Sequence, residues 1–173
     1  MATQLPVFEQ TRLAELASLD ILDTPPEPEF NAIVVEAASA LQVPIAALTL
    51  LNCHRQWFKA QLNVGIVEAP RAPAFSNYLL HENAPLIVLD AAQDPRFSTN
   101  PYVTGAPFVR FYAGVPLVTW RGHHIGALSV ADTQARSAKP GGLAKLSELA
   151  QTAAALMEER RLQKQMASTL ALS

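Results

Sequence analysis

The chain has a single cysteine, Cys53, among its 173 residues. One cysteine cannot form an internal disulfide, nor can it supply a cysteine-based zinc site. A basic excess is also lacking, because 13 lysines and arginines face 15 aspartates and glutamates, which disfavours a dedicated nucleic-acid-binding protein. The N-terminus shows no basic start followed by an apolar segment, and no apolar run approaches the ~20 residues of a membrane span. This composition predicts a soluble, cytoplasmic protein.

Half of the residues are hydrophobic, and their periodicity indicates mixed helices and strands. Helical spacing covers residues 7–19 and recurs from Phe30 to Leu41, whereas 45–51 is a continuous apolar run of strand length. We predict further strands at 56–62, 86–89, 109–119 and 124–131, a loop at 63–74, a short helix at 74–82, an irregular stretch at 90–107 and a long terminal helix from about residue 143. The strand at 109–119 is expected to be interrupted at Gly114 and Pro116. Hairpin connections favour an antiparallel sheet with helices on its faces.

Ordered short segments carry a more specific signal. They lie at residues 19–25, 55–59, 69–71, 90–97, 100–101, 109–117 and 125–132, and include the sequences RQWFK, DAAQDPRF and IGALSVAD. In this order they resemble the GAF domain family, in particular the bacterial subset found beside signalling output domains. The resemblance runs from residue 12 to about residue 159. It divides the chain into an N-terminal segment (1–11), a GAF domain (12–159) and a C-terminal helix extension (160–173).

The resemblance implies an α+β fold with a central antiparallel sheet of five or six strands. The terminal helices lie on one face, and pocket loops with short helices lie on the other. This chain departs from the subset at two places: it has Phe75-Ser76-Asn77-Tyr78 where Phe-Cys-Ala-His is usual, and Ser129 where the last strand usually carries a cysteine. Thiol-dependent or metal-dependent sensing is therefore not expected.

Aromatic and polar residues around the implied pocket are the candidate ligand-binding residues. Aromatic walls with a few polar groups hold flat or apolar molecules. The candidates are Phe75, Ser76, Tyr78, Asp94, Arg96, Phe97, Phe108, Arg110, Tyr112 and Ser129. Several have structural alternatives: the aromatic rings as core packing, and Asp94 and Arg96 as a cap or internal ion pair. Arg110 shares a strand face with Tyr112 and could face an anionic ligand group, but pairing with Asp90 or Asp94 is favoured.

The sequence predicts no catalytic residue and no metal site, and hence that the chain is not an enzyme. Its four histidines lack metal-ligand spacing, and Cys53 has no Cys-x-x-Cys partner. A methionine sulfoxide reductase, an activity known among relatives, would need a second, resolving thiol. The identity of any ligand or cofactor cannot be read from the sequence.

Apolar residues form a stripe along the terminal helix, with a three-then-four spacing through Leu143, Leu146, Ala150, Ala153 and Met157. Its continuation from Met157 to Leu170 extends past what one domain can cover, so a second subunit is expected to bury it, with a frayed tail as the alternative. The leading hypothesis is a regulatory small-molecule-binding module. It forms a homodimer through its terminal helices and acts on a separate signalling output protein, or else the chain is a fragment of a larger sensor protein. A ligand-free structural dimerisation module is the alternative.

Overall fold

The computed structural model describes residues 5–137 and 139–173. Four α-helices, one 3₁₀ helix and six strands follow one another in these parts of the chain. In order they are α1 (Val7–Ser18), α2 (Pro28–Leu41), β1 (Ile45–Leu51), β2 (Arg55–Leu62), β3 (Glu68–Pro70), the 3₁₀ helix (Phe75–Leu80), β4 (Leu86–Val88), α3 (Pro101–Thr104), β5 (Phe111–Val118), β6 (His124–Asp132) and α4 (Pro140–Ala171).

The six strands form one sheet in the order β3-β2-β1-β6-β5-β4, and each neighbouring pair is antiparallel. β1 and β6 are the central pair, with Leu48 opposite Leu128. β1 and β2, and likewise β5 and β6, are joined by short turns, as expected for hairpins. The predicted α+β class with a central antiparallel sheet is therefore confirmed.

Side-chain alternation along the strands gives the sheet two different faces. One face presents large apolar side chains to α1, α2 and α4; Leu50, Phe111 and Leu128 belong to this main core, together with Leu16 and Met157 from the helices. The other face packs against the 3₁₀ helix and the segment that contains α3, through a second cluster that includes the aromatic residues Phe75, Phe97 and Tyr112. The terminal helices thus lie on one face and the short helices on the other, as predicted.

Buried ion pairs join α1 to α4. Arg161 contacts Glu158 on its own helix, lies 3.6 Å from Glu15 of α1 and donates a 3.1 Å hydrogen bond to Ser18. Glu15 also accepts from Arg121, in the turn between β5 and β6, at 3.1 Å. Beyond Arg161 every residue of α4 is exposed, and among these Lys164 still contacts Asp20. The helix therefore has an anchored part and a projecting part.

Four details of the sequence interpretation need correction. The 63–74 segment contains β3, which pairs with the start of β2. The irregular stretch contains α3, whose first turn is capped by Asn100: its side chain accepts from the Tyr102 N–H at 2.9 Å. β5 is continuous through Gly114 and Pro116 because ladder pairing to β6 persists on both sides of them. α4 begins at Pro140, since proline is well suited to a first helical turn.

The predicted segment boundaries at 11/12 and 159/160 fall inside α1 and α4, and the division stays a prediction. Across residues 5–137 and 139–173, no helix combines the length and the apolarity needed to cross a lipid bilayer.

Candidate ligand-binding cavity

A cavity of about 390 Å³ lies between the sheet and the loops on the face opposite α1, α2 and α4. Its floor comes from β1, β2, β5 and β6. Its walls come from the 3₁₀ helix, from the loop at residues 63–66, and from α3 with the segment that follows it to residue 109. The described residues that line it are apolar or uncharged polar: Ile45, Ala47, Thr49, Gln56, Phe58, Asn63, Val64, Ile66, Ala69, Ala74, Phe75, Ser76, Tyr102, Ala106, Pro107, Val109, Tyr112, Ser129 and Ala131.

Small side chains on the sheet leave the space for this cavity. Ala47 and Thr49 of β1 lie on the cavity face, as do Ser129 and Ala131 of β6. The residues between them in sequence, such as Leu48 and Val130, are large and belong to the helix-side core. In the middle of the two central strands, bulky residues therefore face the helices and small residues face the cavity, which places the empty volume over the middle of the sheet.

Tyr112 is a buried polar residue in the cavity wall. It is 93% buried, and its hydroxyl makes no hydrogen bond of full geometry to any described residue, with the Ser129 hydroxyl as a weakly interacting neighbour. Burial raises the pKa of Tyr112, and the nearby Ser129 hydroxyl offsets this only in part. The hydroxyl lies over Gly114, where an added Cβ would come within 2.7 Å of it. A buried hydroxyl without a partner is unfavourable, so it is available to a bound molecule.

Four of the ten predicted site residues line the cavity: Phe75, Ser76, Tyr112 and Ser129. The Phe75 and Tyr112 ring centroids are 5.0 Å apart, and both rings stand on the same side of the sheet. Ser76 and Ser129 are both buried. The cavity thus brings together residues that are up to 54 positions apart, from Phe75 to Ser129. That they bind a ligand stays a prediction.

Three predicted residues lie behind the cavity wall. Phe97 is fully buried and stacks on the outer side of Phe75, with centroids 4.2 Å apart. Tyr78 is half-exposed and tilts against Phe97 at 4.9 Å. Arg96 stands over the same Phe97 ring and does not line the cavity. Phe97 therefore packs against Phe75, and Tyr78 and Arg96 pack against Phe97.

Asp94 pairs with Arg96 through two side-chain hydrogen bonds of 2.7 and 3.0 Å, and the Asp94 carboxylate also accepts from the Arg96 backbone N–H. Hydrogen bonding to the Arg96 guanidinium lowers the pKa of Asp94, against the opposing effect of burial. The internal ion pair that was the structural alternative is therefore present.

Phe108 and Arg110 also lie outside the cavity lining. Phe108 is half-exposed, in the left-handed backbone region with φ of 59°. Arg110 donates to the backbone oxygens of Val103 and Val109, each at 3.0 Å. The favoured pairing of Arg110 with Asp90 or Asp94 is wrong, because α3 presents a carbonyl oxygen to the guanidinium instead.

Sequence reasoning missed several lining residues, notably Thr49, Gln56, Phe58 and Tyr102. Strand alternation already separates Phe58 from Trp57 and Lys59, and the structure places the latter two on the helix side. Lys59 contacts Glu27 there and lies over the Phe30 ring. The same alternation would have assigned Thr49 and Gln56 to the cavity face. Tyr102 depends on the short helix α3, which no periodicity revealed.

Arg71 connects the cavity wall to α1. It contacts Glu9 and donates to the Asn52 backbone oxygen and to the Asn77 side chain, both at 2.9 Å. Glu9 also accepts two hydrogen bonds from the fully buried Arg12, whose guanidinium donates to the Leu51 carbonyl at 2.6 Å. Hydrogen bonding to Arg12 lowers the pKa of Glu9 to about 2, although burial opposes this and Arg71 adds to it. The segment 71–77, which carries Phe75 and Ser76, is therefore tied to the first helix.

Potential reactive groups lie away from the cavity. Cys53 is a free thiol in the turn after β1, beside His54. The buried His124 bonds the Leu79 carbonyl through Nδ1 at 2.8 Å and the Asn83 side chain through Nε2 at 3.1 Å. Within the described ranges, no group of three or more His, Cys, Asp or Glu residues is arranged to hold a metal ion.

The single antiparallel sheet, with terminal helices on one face and a cavity under loops on the other, defines the class of the protein as an α+β domain. The chain belongs to the GAF domain family, whose model matches residues 25–158. The predicted family membership is therefore confirmed.

One curated relative is the cyclic di-GMP phosphodiesterase PA2567 of Pseudomonas aeruginosa, with 40% identity over 131 residues. The match covers 76% of this chain but 22% of that relative, so the chain spans less than a quarter of its length. Two solved structures share the fold. The GAF domain of an Acinetobacter phosphoenolpyruvate-protein phosphotransferase has a TM-score of 0.64 at 16% identity, covering 90% of this chain and 95% of that chain. The blue-light-absorbing form of the Thermosynechococcus elongatus PixJ GAF domain has a TM-score of 0.62 at 17% identity and covers 98% of each chain.

The prediction that the chain is not an enzyme is corrected by the first of these relatives. That protein is named as a phosphodiesterase, which links this chain to an enzyme through a region of GAF-domain size.

Proposed function

We propose that this chain is the sensory domain of a bacterial signalling protein and that it binds a small molecule in the cavity over the sheet. The unpartnered Tyr112 hydroxyl in the wall of a 390 Å³ space is the observation that carries the proposal. Ligand pockets are concave, mostly apolar and equipped with a few polar groups that fix orientation, and this cavity has that composition. Phe75, Ser76, Tyr112 and Ser129 are the proposed contact residues, joined by Phe58 and Thr49.

Occupancy would reach the first helix through the 71–77 segment. Phe75 and Ser76 line the cavity, and Arg71 at the start of the same segment contacts Glu9 of α1. The buried Glu15–Arg161 contact then joins α1 to α4. A ligand that binds one arrangement of this segment better than another shifts the equilibrium between the two by its differential affinity.

The output of this sensing is proposed from the curated relative. Because that relative is named as a cyclic di-GMP phosphodiesterase, we infer that the domain regulates a cyclic di-GMP phosphodiesterase, as part of the same chain or as a partner. A cytoplasmic location fits this role and the free Cys53 thiol.

A second copy of the chain is the proposed partner of the projecting part of α4. Leu162, Met166 and Leu170 follow each other at four-residue intervals and are 46%, 66% and 74% exposed. Residues at this spacing lie on one side of a helix, so they form an apolar stripe that an equivalent helix would cover. The sensory signal would then be read at a helical dimer interface.

The test is a comparison of two alanine-to-leucine variants. Ala131→Leu fills the cavity floor, whereas Ala144→Leu adds the same side chain at an exposed position of α4. Native mass spectrometry of freshly purified protein, followed by a thermal-shift screen with metabolites, should reveal ligands of the wild type and of Ala144→Leu that Ala131→Leu does not bind. Equal responses of both variants, or none in any protein, would contradict the proposal.

A further inference from the structure

We propose that the ligand of this cavity is electrically neutral: a flat, largely apolar ring compound with one or two hydrogen-bonding groups. This inference rests on the proposed sensory function and goes further by naming the chemical class of the ligand. It follows from the composition of the cavity wall, from where the neighbouring charged side chains are held and from the position of the free hydroxyl.

The cavity wall offers rings and hydroxyls but no formal charge from the residues that the structure describes. Phe58 and Phe75 contribute aromatic surface, and Ala47, Ala131 and Ile45 contribute aliphatic surface. Its polar groups are the amides of Gln56 and Asn63 and the hydroxyls of serine, threonine and tyrosine, all of which are uncharged hydrogen-bonding groups. An ion bound against such a wall would give up its hydration without gaining an opposite charge, which is strongly unfavourable.

Cations near the cavity already have partners that hold them away from it. Arg71 contacts Glu9 and Asn77, and Arg96 forms a bidentate ion pair with Asp94. Arg110 donates to two backbone oxygens. Lys59 is on the opposite face of β2, where it contacts Glu27. Drawing one of these side chains toward a phosphate or carboxylate would break existing bonds, so the resting arrangement disfavours an anionic ligand.

Tyr112 and Ser129 are the residues that would contact the polar group of the ligand. Gly114, over which the Tyr112 hydroxyl lies, is directly opposite Ser129 in the β5–β6 ladder, so the two hydroxyls are neighbours on the cavity floor. Burial raises the pKa of Tyr112, and the phenol therefore stays neutral and able to donate. A carbonyl, amide or hydroxyl oxygen of a neutral ligand is the matching acceptor.

The size of the space sets the scale of the molecule. A volume of 390 Å³ equals that of about 13 water molecules at roughly 30 Å³ each. A two-ring compound such as an indole carboxamide fits this volume, whereas a cyclic dinucleotide, with two nucleoside units and two phosphates, exceeds it and carries the disfavoured charge.

The experiment uses matched pairs of probes that differ in charge but hardly in shape: indole-3-carboxamide with indole-3-carboxylate, and cinnamamide with cinnamate. Binding to the full chain is measured by ligand-observed NMR and by isothermal titration calorimetry at neutral pH. We expect each amide to bind at least tenfold more tightly than its carboxylate. We also expect amide binding to disappear in Ala131→Leu and to persist in Ala144→Leu. Ala47→Leu serves as a second cavity-filling variant in case Ala131→Leu does not fold.

Two results would overturn the inference, and they differ in what they leave standing. If a carboxylate binds as tightly as its amide and Ala131→Leu or Ala47→Leu abolishes that binding, the cavity takes ligands but does not select neutral ones. If neither member of any pair binds, or if filling the cavity changes nothing, the proposed sensory function fails together with the inference.

Discussion

Replacing Tyr112 by phenylalanine should stabilise the ligand-free protein. The hydroxyl is buried without a hydrogen-bond partner among the described residues, and such a group costs about 1–3 kcal/mol. Because the Ser129 hydroxyl compensates part of this cost, we expect the low end: Tyr112→Phe should raise the free energy of unfolding by about 1 kcal/mol. For a domain of this length that corresponds to an increase in Tm of about 2–4 °C.

The same substitution should weaken ligand binding. A ligand oxygen that accepts from the Tyr112 hydroxyl gains a neutral hydrogen bond worth about 0.5–1.5 kcal/mol, so its loss lowers affinity roughly two- to tenfold. Stability and affinity thus change in opposite directions, which separates a binding group from a group that merely supports the fold.

Urea denaturation and differential scanning calorimetry of protein stripped of bound molecules would measure the stability change. Tyr102→Phe is the matched control, because Tyr102 also lines the cavity but is only half-buried. Its free energy of unfolding should stay within about 0.5 kcal/mol of the wild-type value. If Tyr112→Phe instead lost about 1 kcal/mol, the hydroxyl would have to be well hydrogen-bonded inside the protein, and the reasoning would be refuted.

Three further predictions concern the helices and the sheet. The lowered pKa of Glu9 stabilises the fold fully above its unfolded value of 4.5, and this stabilisation is lost as the pH falls toward 2. Glu9→Gln should therefore cost about 1–2 kcal/mol at pH 7, allowing for partial solvent screening, and urea titrations should show the difference from wild type shrinking between pH 4.5 and 2; a constant difference would contradict this. Leu162→Glu should convert the proposed dimer to a monomer in light scattering, whereas the neighbouring exposed change Gln163→Glu should not. Gly126→Ala should cost about 3 kcal/mol in chemical denaturation, because the new Cβ would lie 1.8 Å from the Thr49 carbonyl oxygen, while Gly141→Ala, which meets nothing within 4 Å, should be tolerated.

Much of the fold was predictable because the spacing of apolar residues shows which side of a strand or helix is buried. The run at 45–51 and the alternation around Trp57 and Phe58 identified β1 and β2 and the two faces of the sheet. β3 was missed because its three residues, one of them a proline, are too few to show a pattern. α3 is one turn long and was missed for the same reason.

The cavity was less predictable than the sheet because its walls come from loops. Ser129 and Tyr112 occupy strand positions, where alternation assigns a face, and both line the cavity. Arg96 and Phe108 lie in turns, where no periodicity predicts which way a side chain points, and both lie outside the cavity lining. For Arg110, the nearest acceptor is a backbone carbonyl of α3, which the sequence alone could not position.

The terminal helix has a mechanical consequence. With 32 residues, α4 is about 48 Å long at 1.5 Å per residue, and its last ten residues beyond Arg161 would project for about 15 Å. A rod fixed along one part acts as a lever: a tilt of about 10° at the anchored part would move the C-terminal end of α4 sideways by roughly 3 Å. A movement of the anchored part of α4 that is too small to disturb the packing over the sheet would thus become a larger displacement at the C-terminal end of the helix, and at any surface in contact with that end.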